Sequence, residues 1–487
     1  MTLTRRAMMA GLLAGAAQPV LANAPATSPR PLARDPELRK ALIPSAGDLV
    51  DAANLGGRVS FAVADAGTGE ILESRAPLLP QPPASTAKAL TTLYGLDALG
   101  PDFRFATRLV ATGPLVDGRL EGDLILAGGG DPTLDTDALG DMAAALKEAG
   151  LREITGTFRI WTGALPEVRE VDAEQPDHVA YNPSISGLNL NFNRVYFGWE
   201  RTKDTYEVSI EARDARFRPG VSVAQMEVVD RRTPVYTYTD TGDADAWTVA
   251  RGALGGGGAR WLPVRRPALY AAEVFRTLAR SHGIQLGQET GRAQSDEGEV
   301  LVEHLSAPLS DILRDMMEYS TNLTAEIVGL TASRRRMGEV PTLAASAGHM
   351  SGWLGETMLA RSAAFEDHSG LGDDSRISAA DMVKAMVKAG PDSRLRDLMK
   401  PFPVEAMPGV EVAAKTGTLN FVSALTGFET APNGRELAFA IFCADVPRRD
   451  ALAPSQRERP EGGRYWIGRS RNLQRALLAR WGGLYGA

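Results

Sequence analysis

Thiols are almost absent from this sequence. The 487-residue chain holds one cysteine, Cys443, which excludes an intrachain disulfide framework and any multi-thiolate metal site. Cys443 ends the apolar run that starts at Leu437, where a small buried hydrophobe is the expected role. Lysine is scarce as well, with eight lysines against 45 arginines. Arginine cannot give up its proton in a protein, whereas a buried lysine can, so each retained lysine is worth weighing as a proton acceptor. The five histidines, His178, His282, His304, His349 and His368, show no His-x-x-x-His spacing, which argues against a zinc peptidase. A net charge of -7 supplies no basic face for nucleic acid. Beyond the N-terminus no apolar run is long enough to span a bilayer.

What is present first is an export signal. Thr4-Arg5-Arg6 precedes a soft Ala/Gly/Leu/Met stretch to about Val20 and then small residues at Ala22-Asn-Ala24. That order is a secretory signal over residues 1–24, resembling the twin-arginine type, with cleavage expected after Ala22 or Ala24. The mature chain is therefore expected outside the cytoplasm, in the periplasm.

The length predicts two or three domains. Arg58 to Arg75 reads as two strands about Gly67-Thr-Gly69, followed by a helix opening at Ser85. From about Asp102 to Thr248 the chain breaks into short β-like runs, ending in Gly255-Gly-Gly-Gly258, a candidate hinge or linker. Helical patterning returns at 268–280 and 309–317. Strands follow at Val412 to Gly417 and around Pro432-Asn-Gly434, and the chain closes on a helix at 473–484. The expected arrangement is an α/β domain built from residues 35–100 and 266–487, interrupted by a β-rich insertion at 101–265. Asp131, Asp135 and Asp137 lack the other positions of a calcium loop and read as a solvated turn.

Three short motifs carry chemistry. Ser85-Thr-Ala-Lys88 is the chain's one Ser-x-x-Lys, and three residues apart on a helix both groups share a face, so a lysine amine can activate the serine. Its bland alternative is a capping serine beside a solvated lysine. Ser320-Thr-Asn322 can converge only if a helix breaks there, since residues two apart do not share a face. Ser470-Arg-Asn472 fits the same pattern and reads as a cap of the last helix. Lys415-Thr-Gly417-Thr418 reads as an edge strand where glycine admits a substrate backbone, the lysine supplies charge and the hydroxyls can bind a carboxylate. The bland reading there is a plain strand end.

In this order, helix start, helix break and strand resemble the penicillin-binding proteins and class A β-lactamases. The gaps of 235 residues from Ser85 to Ser320 and 95 from Ser320 to Lys415 are similar to those of the class C low-molecular-mass penicillin-binding proteins, the D-alanyl-D-alanine carboxypeptidase/endopeptidase family. Further stretches look similar: Gly128 to Leu134, Leu188 to Asn193, Tyr319 to Glu326 and Asp367 to Leu371. The resemblance implies a penicillin-binding-protein/β-lactamase-like fold, an antiparallel sheet flanked by helices, and a serine peptidase acting through an acyl-enzyme, without cofactor or metal. Its partners would be peptidoglycan stem peptides and β-lactams. By the same resemblance Ser85 is the nucleophile, Lys88 its base, Ser320 a proton relay, Asn322 a substrate-orienting group and Lys415 an electrostatic one. Thr416, Gly417 and Thr418 would bind substrate, with the amides of Ser85 and Thr418 as oxyanion hole. Thr321 and His368 depart from the family's commoner residues. A β-lactamase, or a non-catalytic wall-binding protein on the same fold, remain the alternatives.

Overall fold

The computed structural model describes residues 43–339 and 342–486; the expected export signal lies outside them. A six-stranded antiparallel sheet organises the molecule, in the order Lys400–Pro401, Glu411–Leu419, Val422–Thr430, Glu436–Ala444, Arg58–Asp65 and Ile71–Arg75. The two turn signals read from sequence close its hairpins: Gly67-Thr-Gly69 joins the last two strands, and Asn433-Gly434 joins Val422–Thr430 to Glu436–Ala444, with Gly434 at φ 85°.

Side chains on a strand alternate between faces, and here alanines gather on one of them. Ala62, Ala64, Ala424, Ala438 and Ala440, with Phe428 and Phe442 among them, face one side, where they pack with the helices Ala87–Leu99, Leu309–Tyr319, Asn322–Met337 and Ala379–Ala389. Phe61, Val63, Leu425, Leu437, Phe439 and Ile441 face the other, under the helices Ala46–Ala53 and Gly463–Tyr485. Small residues let helices approach closely on the first side. Large ones build a core on the second, each fully buried Phe or Leu contributing roughly 2–3 kcal/mol. Cys443 is buried there as expected.

The strands of 101–265 stay out of this sheet. Leu124–Gly128, Ala106–Ala111 and Phe158–Trp161 form a separate sheet, completed at its edges by Thr290–Arg292 and Glu299–Leu305. The helices Thr136–Glu148 and Pro267–Ser281 share its core. The boundary drawn at 265/266 is therefore corrected: the chain keeps pairing with the inserted strands as far as Leu305, because the amphipathic helix Pro267–Ser281 buries its apolar face against them. Conversely, Phe105, Ala164, Leu165 and Ile185 of the insert join the core of the helices Ala87–Leu99 and Asn322–Met337.

Three smaller expectations are also corrected. Gly255–Gly258 is no linker: Gly257–Pro263 is a strand paired with Arg194–Thr202, and a Cβ at Gly258 would lie 2.7 Å from the Trp199 ring, so glycine is needed for that packing. Asp131 is buried rather than solvated and accepts from the Thr133 amide and hydroxyl, each at 2.7 Å. Ser470 is not a cap. It sits buried inside Gly463–Tyr485, its hydroxyl donating to the Trp466 carbonyl at 3.1 Å.

Candidate active site

A tight turn, Ala84–Thr86, feeds the helix Ala87–Leu99 and sets Ser85 at its mouth. Lys88, one turn on, is fully buried, and its Nζ lies 3.0 Å from Ser85 Oγ. The same Nζ donates to Asn322 Oδ1 at 2.6 Å and to the Ser369 carbonyl at 2.9 Å.

Ser320 and Asn322 converge through a break between helices. Leu309–Tyr319 ends with Ser320 in the left-handed region at φ 60°, Thr321 is extended, and Asn322 opens the next helix. Ser320 Oγ accepts from Lys415 Nζ at 2.9 Å, and that ammonium also donates to the Thr416 carbonyl at 3.1 Å. The short strand Lys400–Pro401 pairs only with Ala413 and Ala414, which leaves the outer edge from Lys415 to Leu419 open among the described strands. Gly417 crosses directly beneath the Ser85 turn. A Cβ there would come within 2.7 Å of the Pro83 carbonyl oxygen and 2.9 Å of the Ser85 nitrogen, so only glycine lets this edge lie against the serine. Thr418, next along, is exposed. All five residues expected to carry chemistry thus meet in one place, with Thr416 to Thr418 along its rim.

Burial dominates the electrostatics. It pulls the Lys88 ammonium down to about 8, opposed by the charges of Glu326 and Asp367. Burial, then repulsion from Lys88 and Lys400, brings Lys415 down to about 7. Burial raises the carboxyls of Glu326 and Asp367, and the charge of Asp367 adds to the rise in Glu326. His368 is held neutral, pushed down to about 3 by burial, with Nε2 2.8 Å from Ser346 Oγ.

Glu326 and Asp367 are the site groups that motif reading missed. Glu326 accepts from the amides of His368 and Ser369 at 2.8 and 3.0 Å. Asp367 accepts from those of Gly370 and Gly372, both at 2.6 Å. Together they hold the loop whose Ser369 carbonyl grips Lys88. A charged residue inside the apolar stretch Leu323 to Leu330 was the available signal for Glu326. Tyr181 was missed too: its carbonyl accepts from Asn322 Nδ2 at 2.7 Å, and a backbone group leaves no trace in a motif.

The profile of the D-Ala-D-Ala carboxypeptidase 3 (S13) family matches residues 46–460. The chain belongs to that family. It is accordingly a serine-type peptidase of peptidoglycan metabolism. It is 29% identical over 470 residues to a D-alanyl-D-alanine carboxypeptidase of Actinomadura sp. (strain R39), covering 86% of each chain. It is 26% identical over 406 residues to the D-alanyl-D-alanine carboxypeptidase DacB of Haemophilus influenzae, covering 77% of this chain and 82% of that one. In fold it is similar to penicillin binding protein 4 of Haemophilus influenzae, with TM-score 0.74 and 21% identity over 89% of this chain and 99% of the other. Family and fold agree with the sequence reading.

Proposed function

We propose that the protein cleaves D-Ala-D-Ala-type bonds of peptidoglycan stem peptides with Ser85 as nucleophile and Lys88 as its base. The contact set of Lys88 carries this reading. A neutral amine has two N–H bonds and one lone pair. Asn322 Oδ1 and the Ser369 carbonyl can only accept, so they take both hydrogens and leave the lone pair toward Ser85 Oγ at 3.0 Å. Burial, which brings Lys88 down to about 8, makes the neutral amine accessible near neutral pH.

The steps follow. Lys88 takes the Ser85 proton as Oγ attacks the carbonyl carbon of the scissile amide. The oxyanion is received by the backbone amides of Ser85 and Thr418, which the glycine at 417 allows to come together. The C–N bond then breaks, and the leaving amine receives a proton through Ser320, paired with Lys415. Water hydrolyses the acyl-enzyme and regenerates Ser85. The substrate backbone adds to the open edge of Glu411–Leu419, its terminal carboxylate facing Thr416, Thr418 and the positive charge of Lys415. A β-lactam, whose strained amide offers the same carbonyl, acylates Ser85 in the same way. None of the motif residues is lost, so no observation favours a non-catalytic role. Among the described residues no helix is long and apolar enough to cross a membrane, and the arginine-led N-terminus supports export to the periplasm.

The test is the product set from purified muropeptides. A pentapeptide substrate should release free D-Ala, or a crosslinked dimer should yield two monomers. Release of neither would overturn the assignment.

A further inference from the structure

The insert sends one segment into the site. Val168 and Ile185 close its ends by exchanging backbone hydrogen bonds at 2.9 and 2.8 Å. Inside, Asn182 Oδ1 accepts from the amides of Val171 and Asp172, both at 3.0 Å, and its Nδ2 donates to the Asp172 carbonyl at 2.8 Å. Beneath lies Arg265, whose side chain is 2% exposed. Its Nη1 donates to the carbonyls of Asn182 and Arg169 at 2.9 and 3.2 Å, and its Nη2 to that of Asp177 at 2.9 Å. Glu170 stands 3.7 Å from the guanidinium and balances its charge.

The neighbour of Asn182 is Tyr181, whose carbonyl receives Asn322 Nδ2. A carbonyl oxygen can only accept, so this contact obliges Asn322 to turn its NH₂ toward the insert and its Oδ1 toward Lys88. Turned the other way, the amide would point hydrogens at the amine and compete with Ser85 for its lone pair. The orientation of the catalytic amide is thus set from the insert, and the insert segment is set by Arg265.

We infer that Arg265 is a positioning residue for acylation: it fixes the Tyr181 carbonyl, which orients Asn322 and through it Lys88. The inference rests on the proposed role of Lys88. Arginine suits the task because its planar fork reaches three carbonyls at once, which an ammonium on a flexible stem does not.

A double-mutant cycle on β-lactam acylation tests it, using the full chain with Arg265→Gln, Asn322→Ala and both together. Arg265→Gln should lower the acylation rate constant about tenfold while leaving the pre-covalent dissociation constant unchanged. In the Asn322→Ala background the same change should cost less than about twofold, because its route of action is gone. Arg265→Lys should recover part of the loss. If Arg265→Gln does not fold, Asn182→Ala unfastens the same segment and should show the same non-additivity. Losses that multiply in the double variant would overturn the inference while leaving the enzyme reading intact. Absence of any acylation in the wild type would instead remove the enzyme reading.

Discussion

The central sheet buries ionisable groups on both faces and treats them differently. On the alanine-lined face Lys88, Glu326, Asp367 and Lys415 are buried together, each hydrogen-bonded to a side chain or to backbone groups. On the opposite face Glu429 is equally buried, beside Gly482 of the C-terminal helix, yet neither carboxyl oxygen has a hydrogen-bond partner among the described residues. Burial alone pushes its carboxyl well above the ordinary range. The first set is a network in which each charge is compensated and loss of a member exposes the others. The second is a lone acid whose cost the surrounding core must offset. Partnership rather than burial separates the two sets.

The largest effect is expected at the centre of the network. Lys88→Arg keeps the positive charge but cannot accept a proton, so β-lactam acylation should fall by at least about a hundredfold with the fold retained. Lys415→Arg should lose much less if its charge is what matters. Acylation needs Lys88, at about 8, neutral and Lys415, at about 7, charged, so it should peak between about pH 7 and 8 and fall on both sides. The arginine at 415 stays charged, so that variant should lack the alkaline fall. Acylation rate constants measured across pH decide this. A Lys415 variant more damaged than the Lys88 one would reverse the assignment of the base.

One substitution made on each face sharpens the contrast. Glu326→Gln replaces an acceptor of two amides by a group that must aim its own NH₂ at one of them, and should destabilise by about 1–3 kcal/mol while slowing acylation. Glu429→Gln should stabilise, by about 1 kcal/mol at about pH 8. The sign follows from linkage: a carboxyl raised in the folded state binds its proton more tightly there, so its cost grows as pH rises above the unfolded value. The gain should therefore fade toward about pH 4. Thermal denaturation of both variants at the two pH values checks the pair. Equal destabilisation by both would break the comparison.

What the sequence made legible followed from side chains that chemistry needs. Ser85, Lys88, Ser320, Asn322 and Lys415 were found because their types and order are rare together. The break at Ser320 followed from a polar run between two apolar-periodic segments. Glu326 and Asp367 escaped because an acid that holds a loop through backbone amides obeys no spacing rule. Tyr181 escaped because its carbonyl, not its ring, makes the contact. The hinge expected at Gly255–Gly258 failed because glycine serves flexibility and close packing alike, and Trp199 lies on the paired strand. The insert's end was misplaced because the apolar stripe of Pro267–Ser281 says that the helix is amphipathic, not which core it joins.

The central claim is that Ser85 is acylated, and one measurement meets it directly. Labelled penicillin is incubated with the wild-type protein and with Ser85→Ala, and each is digested to locate the adduct by mass. A stable adduct is expected on the peptide carrying Ser85 and none in the alanine variant; label persisting at full strength in Ser85→Ala would contradict that role.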